Sequence, residues 1–276
     1  MMGAAPPRAI YTDLDGTLLG KGGSLFRTAA GGFTLVGAEA LELCHESRVE
    51  LCFCSGRSLR LLREDARLMG VEKYIAEAGC VLVRDHGATV INNCQPYGER
   101  EGLSVFEEIA ETGAPARLLE RFGSALAYHE PWCFDHSYSH LMRGHIELAE
   151  ASRFLKANGY TSLRLVDNGV IEDRGYGMPV DELHAYHIVP MHAGKGSAIR
   201  LDLEMSGISR QEAVACGDSA QDLEMAGEVR TLYLMANAAE NHSGLKELLE
   251  EYQNVVVVEA PMVEGFSEAV SIALGI

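Results

Sequence analysis

From the N-terminus to about residue 90, short apolar runs that end in turn residues alternate with segments whose apolar positions recur at helical spacing. RAIYT reads as a first strand, residues near 35 to 47 as a helix, VELCFC as a second strand and residues near 58 to 69 as a second helix. Ser58 is placed to cap SLRLLREDARLM, with Leu61, Leu62, Leu68 and Met69 as its apolar face and Gly70 as its stop. KYIAEAGCVLV and ATVINN then follow with no long helix between them, and the turn around His86 and Gly87 predicts a hairpin.

The pattern changes from about 94 to 187, where Gly and Pro punctuation, most of the histidines and the single tryptophan, Trp132, are found. Helical stretches near 103 to 112 and 147 to 158, with strand-like TSLRLVD and LHAYHIVP, predict a small α+β module. Winding then resumes: SAIRLDLEMSG and AQDLEMAG are helical, EAVACG, TLYLM and NVVVVEA are strands, and GFSEAVSIALGI closes the chain as a helix. The predicted architecture is α/β, a Rossmann-like doubly wound parallel sheet built from residues 1–93 and 188–276, with an α+β domain inserted at 94–187. No internal repeat or low-complexity tract is visible.

Composition narrows the class. At 276 residues, with 47% hydrophobic and 23% charged positions, the chain can bury a sizeable core and fits neither the disordered nor the membrane class. The opening MMGAAPPR has no apolar stretch of signal-peptide length, which predicts no export and a cytoplasmic location. Seven cysteines without a C-x-x-C pair argue against a disulfide framework or structural zinc. Cys52 and Cys54, two apart on one strand, read as core packing. A net charge of -17 opposes binding to nucleic acid and would repel an anionic substrate at long range. Any phosphate site must therefore be locally positive, through a metal ion, a lysine and backbone N–H groups.

The candidate chemistry begins where the first strand ends. In AIYTDLDGTLLG, Asp13 and Asp15 can converge on one ligand as the chain leaves the strand. Two anions so close require a cation between them or a proton on one. As turn formers alone they would be ordinary, but ligands of open α/β sheets bind at the carboxyl ends of strands. Three further elements take comparable positions. In FCSGR, Ser55 and Gly56 end a strand with a hydroxyl and free N–H groups suited to phosphate oxygens. In HAGKGSAIR, Lys195 lies between two glycines before a helix that Ser197 is placed to cap. In EAVACGDSAQDLEMAG, Asp218 ends a strand and Asp222 points back from the next turn. Each has a plain alternative, respectively turn chemistry, a solvated loop lysine and helix capping, but four such elements at the ends of strands of one sheet are hard to ascribe to coincidence.

DLDGT at 13–17, Ser55, Lys195 and GDSAQD at 217–222 match, in order and spacing, the four motifs of the haloacid dehalogenase superfamily, whose phosphatases the chain resembles over its whole length. The insert is similar to the large α/β cap of the Cof-like and sugar-phosphatase branch. TDLDGTLL, the hairpin and the short cap most resemble mannosyl-3-phosphoglycerate phosphatases. EAG at 77–79 stands where the branch often has Glu-Asn-Gly, so Ala78 lacks an amide and any substrate contact from it is lost.

The resemblance implies a phosphatase in which Asp13 attacks phosphorus to form an aspartyl phosphate, while Asp15 protonates the leaving alkoxide and later activates water. It implies Mg2+ in the set Asp13, Asp15 (through its backbone carbonyl), Asp218 and Asp222, with Asp222 orienting Lys195 or a metal-bound water. Ser55, Gly56 and Lys195 would bind phosphoryl oxygens, and Thr17 would support the first loop. The expected substrate is a small phosphate ester of the sugar phosphate, phosphoglycerate or phosphoglycolate type. A phosphomutase on the same core, or a regulatory binding protein, are the rivals. Against the second stands the intact set Asp13, Asp15, Lys195, Asp218 and Asp222.

In the insert, HSYSHLMRGH carries His136, His140, Arg143 and His145. Arg143, with His140 near it, is a candidate for a substrate carboxylate or second anionic group. Pairing with Glu147, Glu150 or other surface acids is the equal alternative. The spacing matches no recognised zinc pattern, which argues against a histidine metal site in this segment. No heptad or apolar patch in the sequence assigns an oligomeric state.

Overall fold

The structure, a computed structural model, describes residues 5–241, 244–245 and 249–276. The first part of the chain supplies strands β1 (Ala9–Thr12), β2 (Glu50–Cys54), β3 (Lys73–Ala76), β4 (Val81–Arg84) and β5 (Thr89–Asn92). The middle supplies β6 (Leu126–Tyr128), β7 (His140–Gly144), β8 (Leu163–Val170) and β9 (His184–Pro190). The last part supplies β10 (Ala213–Gly217), β11 (Thr231–Leu234) and β12 (Val255–Val257). The larger sheet has the order β12-β11-β10-β1-β2-β3-β4-β5, parallel from β12 to β3 and antiparallel through the β4 and β5 hairpin.

β1 lies at its centre and is buried along its whole length, which explains why AIYT reads as a run without polar alternation. Ile10 packs on one face with Phe53, Leu62 and Phe266, and Tyr11 on the other with Cys52, Ile199 and Met225. Helices α1 (Val36–Glu46) and α2 (Leu59–Met69) and the final helix, Met262–Leu274, contribute to the first layer. A helix beginning at Lys195 (Lys195–Ser206) contributes to the second. The cap and stop of α2 match their sequence signals: the Ser58 hydroxyl accepts from the Leu61 N–H at 3.3 Å, and Gly70 takes the left-handed conformation at φ 70°. Leu62 and Ala66 face inward, but Leu68 is 73% exposed, because it falls off the stripe that the 62, 66, 69 spacing defines. All seven cysteines are free and buried.

The smaller sheet is antiparallel in the order β6-β7-β9-β8. It shares its own core, including Met142, Leu165, Tyr186 and Ile188, with three helices, Val105–Glu111, Ala114–Phe122 and Leu148–Ala157. The junction expected at 187/188 falls inside β9: Ile188 and Val189 pack in the insert's core, so its sheet runs on to Pro190.

Glu77, wholly buried just after β3, joins the two parts. Its carboxylate accepts from the backbone N–H groups of Ser137, Tyr138 and Ser139 at 3.0, 2.8 and 2.9 Å, and from the Ser139 hydroxyl at 3.1 Å. Burial alone would raise its pKa, but His136 at 3.2 Å and these backbone donors hold it below the ordinary value. A second tie runs from Arg164 of β8 to Glu224 at 2.7 Å and to the Ala193 carbonyl at 2.6 Å.

Candidate active site

Parallel register brings the relevant loops to one edge. Thr12 pairs with Cys216 on one side and Phe53 on the other, so β1, β10 and β2 end at the same level. The ladder continues one step further, with the Asp13 N–H donating to the Cys216 carbonyl at 3.0 Å. Asp13, Ser55 and Asp218 therefore leave neighbouring strands together, and all are buried.

Lys195 organises this edge. Its Nζ donates to Oδ1 of Asp13 and to Oδ1 of Asp222, both at 2.7 Å, and its side chain is almost wholly buried. Desolvation works against the ammonium, yet Asp13 and Asp222 outweigh it and the net shift of its pKa is upward. The helix starts at Lys195, with Gly194 as its N-cap. Ser197 therefore is not the cap expected from the sequence; it lies in the first turn and donates back to the Gly194 carbonyl at 3.1 Å. Glycine is required nearby: Gly79 has φ +97°, and a Cβ there would lie 2.0 Å from the Gly194 carbonyl carbon.

Asp13, Asp218 and Asp222 each present a carboxylate oxygen within 4.8 Å of the others. Burial raises the pKa of Asp13, with Lys195 opposing and Asp222 adding to the rise. Asp218 is raised well above the usual carboxylate range, first by burial and then by Asp13 and Asp222. Carboxylates so placed favour a cation, and an all-oxygen donor set suits a hard one such as Mg2+. The chain also leaves room for this cluster: a Cβ on Gly16, at φ +83°, would lie 2.1 Å from Oδ2 of Asp218.

The four aspartates differ in what they have left to offer. Oδ1 of Asp13 is tied to Lys195, while its Oδ2 accepts no hydrogen bond among the described residues. Asp218 accepts from Thr17 Oγ1 at 3.3 Å and from Asn237 Nδ2 at 2.9 Å. In Asp222, Oδ1 faces Lys195, and Oδ2 accepts from the Asp218 and Ser219 N–H groups and the Ser219 hydroxyl at 3.0, 3.0 and 2.8 Å. It thus orients Lys195 and closes a capping box through Oδ2, while Oδ1, with Lys195 as its one hydrogen-bond partner among the described residues, remains the atom it offers to the carboxylate cluster. The Asp15 carboxylate stands outside the cluster, held by the Arg57 guanidinium in a fork at 2.8 and 2.7 Å. Any part Asp15 takes in holding a metal falls to its backbone carbonyl.

Ser55 is buried at the end of β2, and its hydroxyl accepts from the Arg57 N–H at 3.2 Å. Gly56 is bare because Asn168 approaches it from the insert: a Cβ on Gly56 would lie 2.7 Å from both Nδ2 and Oδ1 of Asn168. Asn168 sits in a β-bulge, where the β8 and β9 register breaks between Asp167 and Val170. Bulges re-aim side chains, and this one turns an amide toward the site edge.

Arg143 and His140 are employed elsewhere. Both ring nitrogens of His140 are occupied, by the Tyr128 hydroxyl at 2.9 Å and the Phe106 carbonyl at 2.9 Å. Burial lowers its pKa to about 4, so it is a neutral packing residue and not a substrate ligand. Arg143 donates to the Glu130 carbonyl at 2.8 Å and stacks 4.1 Å from the Tyr176 ring centroid; it makes no ion pair with Glu147 or Glu150. Neither residue bonds to the core loops.

Sequence reasoning missed Arg57, Asn237 and Asn168. Arg57 stands inside FCSGR, but its partner lies 42 residues away. Asn237 follows β11, and its amide, bonded to Asp218, also donates at 3.0 Å to the carbonyl of Gly16, 221 residues before it. For Arg57 and Asn237 only their position after a strand end was available as a sign, and Asn168, inside β8, had not even that.

Comparison with known proteins places this geometry. Residues 180–247 match the family model for haloacid dehalogenase-like hydrolases. The chain is 26% identical over 266 residues to a phosphoglycolate phosphatase of Archaeoglobus fulgidus, covering 95% of both. It is 24% identical over 236 residues to a phosphoglycolate phosphatase of Metallosphaera sedula, covering 84% of the chain and 86% of the relative. Among solved structures, the sucrose-phosphatase of Synechocystis with sucrose and phosphate superimposes with a TM-score of 0.63 at 14% identity, over 99% of this chain and 98% of that one. A subclass IIB sugar phosphatase gives 0.60 at 16% identity, over 96% and 98%. These likenesses establish a shared fold. No described helix is long and apolar enough to cross a membrane.

Proposed function

We propose that this chain, which belongs to the haloacid dehalogenase-like hydrolases and is a phosphatase, hydrolyses a small phosphate monoester by passing the phosphoryl group first to Asp13 and then to water. The observation that carries this reading is the Asp13 carboxylate itself, with Oδ1 fixed by Lys195 at 2.7 Å and Oδ2 open. Fixing one oxygen orients the other for attack.

In the first step Asp13 Oδ2 bonds to phosphorus as the ester P–O bond breaks, and the leaving alkoxide takes a proton from Asp15. In the second, water attacks phosphorus, Asp15 takes its proton, and the P–Oδ2 bond breaks to release inorganic phosphate and restore Asp13. Asp15 must exchange one Arg57 N–H to do this, and an incoming phosphate offers that guanidinium replacement oxygens. Arg57 is thus a positioning residue for the proton donor and a ligand for the phosphoryl group. Ser55, the Gly56 N–H and Lys195 complete the anion site.

Asp13, the Asp15 backbone carbonyl and Asp218 are the residues that would hold Mg2+, whose positive charge allows an anionic carboxylate to meet an anionic phosphate. Thr17 and Asn237 hold Asp218 for that task.

For substrate, the names of the relatives favour phosphoglycolate over the larger sugar esters. The insert acts as a cap over the site, with Asn168 facing the group beyond the phosphate. Its amide stands in for the one that Ala78 lacks.

The test is phosphate release from phosphoglycolate, phosphosugars, mannosyl-3-phosphoglycerate and p-nitrophenyl phosphate, with Mg2+ or EDTA. Magnesium-dependent release that Asp13→Asn reduces by about 10⁴-fold or more is expected. Release that survives the substitution overturns the nucleophile, and phosphoryl transfer without stoichiometric phosphate indicates a mutase.

A further inference from the structure

We propose that His145, Glu182 and His184 form a zinc-class divalent-cation site in the insert, separate from the carboxylates of the core. The three offer ligand atoms within 4.8 Å of one another. The spacing argument from HSYSHLMRGH missed this because the ligands come from different strands: Gly144 at the end of β7 pairs with His184 at the start of β9, which brings His145 beside it. The two imidazoles meet edge to face with centroids 5.2 Å apart.

The hydrogen bonds determine which nitrogens are free. Nδ1 of His145 is 3.1 Å from the Glu182 backbone carbonyl. A carbonyl only accepts, so Nδ1 carries the proton and Nε2 the lone pair. Nδ1 of His184 is 2.9 Å from an Asp167 carboxylate oxygen, and its Nε2 faces Oε1 of Glu182 at 3.0 Å. With Nδ1–H given to Asp167, a neutral His184 would set a nitrogen lone pair against a carboxylate oxygen. Either a proton or a metal must lie between them. Asp167 and the Glu182 carbonyl play the outer part familiar in metal sites, fixing ring orientation and tautomer, and Nε2 of His184 faces the Glu182 carboxylate.

Two imidazoles and a carboxylate form a three-ligand set suited to zinc, with a fourth position left to solvent. Metal–ligand distances of about 2.0–2.2 Å at tetrahedral angles correspond to ligand atoms roughly 3.3 Å apart, so the cluster closes on a metal by small side-chain rotations. His145 and Glu182 are exposed and His184 half-buried, so an ion can enter from solvent. A metal taking Nε2 of His184 and the Glu182 carboxylate displaces any proton shared between them at 3.0 Å, so binding releases protons where one is present. A bound ion would join the exit of β7 to the entry of β9 and, through Asp167, to the bulge that carries Asn168.

The experiment is calorimetric titration of the chelator-treated full-length protein with ZnCl2, in two buffers of different ionisation enthalpy, against MgCl2 as contrast. Expected is a zinc event with proton release that Asp218→Asn retains. His145→Ala and His184→Gln should weaken it by at least about tenfold, and Asp167→Asn by 10- to 100-fold or less. His145 is exposed, so its replacement leaves the fold intact, which matched thermal melts without metal would confirm. Zinc binding unchanged in both histidine variants, lost only in Asp218→Asn, or absent altogether, overturns the proposal and leaves His184 as a protonated bridge between Asp167 and Glu182.

Discussion

At the edge of the core, Asp13, Asp218 and Asp222 gather their carboxylates around one buried ammonium, whereas the insert buries imidazoles, His140 and His187, that have no carboxylate partner. Burial raises the pKa of Asp13 and Asp218 but lowers that of His140 and His187, because in both places it disfavours the charged form. The consequences differ. The core edge holds unrelieved negative charge that a cation and a proton donor can use in turn. In the insert, burial favours the neutral form of these two imidazoles. Glu77 is the point where the two strategies meet, since it is a core carboxylate stabilised by the insert's backbone donors.

The contrast is broken most severely at Lys195. Lys195→Ala removes the ammonium shared by Asp13 and Asp222 and leaves buried carboxylates without their counterion, a loss of about 3–5 kcal/mol of stability. Catalysis should fall with it, since Asp13 then has neither fixed oxygen nor neighbouring charge. Chemical denaturation with and without Mg2+ measures the first effect, and magnesium should restore part of it.

Glu77→Gln comes next. An amide nitrogen would face the N–H groups of residues 137–139, and roughly 2–4 kcal/mol of stability should go. Because the folded pKa of Glu77 lies below its unfolded value, the wild-type contribution is present above pH 4.5 and disappears as pH falls through the folded value. The variant should therefore lose most against wild type at neutral pH and least in strong acid, which denaturation at a series of pH values would display.

Acid should then separate the two regions without any substitution. His140 titrates near 4 when folded and near 6.5 when unfolded, so its share of insert stability is complete above pH 6.5 and is lost as pH falls toward 4. A shift of that size corresponds to about 3 kcal/mol. In the metal-free core, Asp13 and Asp218 have folded values above their unfolded ones, so acid relieves that edge. Trp132, the single tryptophan, lies in the insert and reports it by fluorescence, while circular dichroism follows the whole chain. Between pH 7 and 5 in EDTA the tryptophan melt should fall below the dichroism melt; coincident melts at every pH would show that the parts unfold as one.

What was legible in the sequence follows the same division. The core loops announced themselves because each is local: an apolar run, then an aspartate, hydroxyl or glycine where the strand stops. The Ser219 and Asp222 capping box was readable for that reason, and so was the end of α2 at Gly70. The insert's groups gain their roles from partners far along the chain. His140 and Arg143 looked like ligands in a basic cluster because nothing local shows that Tyr128, Phe106 and Glu130 occupy them. Asn168 was invisible because a bulge, not a periodic pattern, determines where it points.

Asn168 gives the finest test of the division of labour. Its amide has no hydrogen-bond partner among the described residues, yet it rests against Gly56, whose N–H the proposed mechanism gives to phosphate. If the insert contributes only recognition, Asn168→Ala should raise KM about 3- to 10-fold, the worth of one hydrogen bond, and leave kcat nearly unchanged. Asn168→Asp keeps the shape but sets a negative charge beside an anionic substrate, so its KM should rise further, and more at low salt than at high. The side chain touches no reacting atom, so both variants should still form the phosphorylated enzyme at saturating substrate. A fall in kcat with KM unchanged would mean that the bulge organises the chemistry at Ser55 and Gly56 as well as the substrate, and the line between core and insert would have to move.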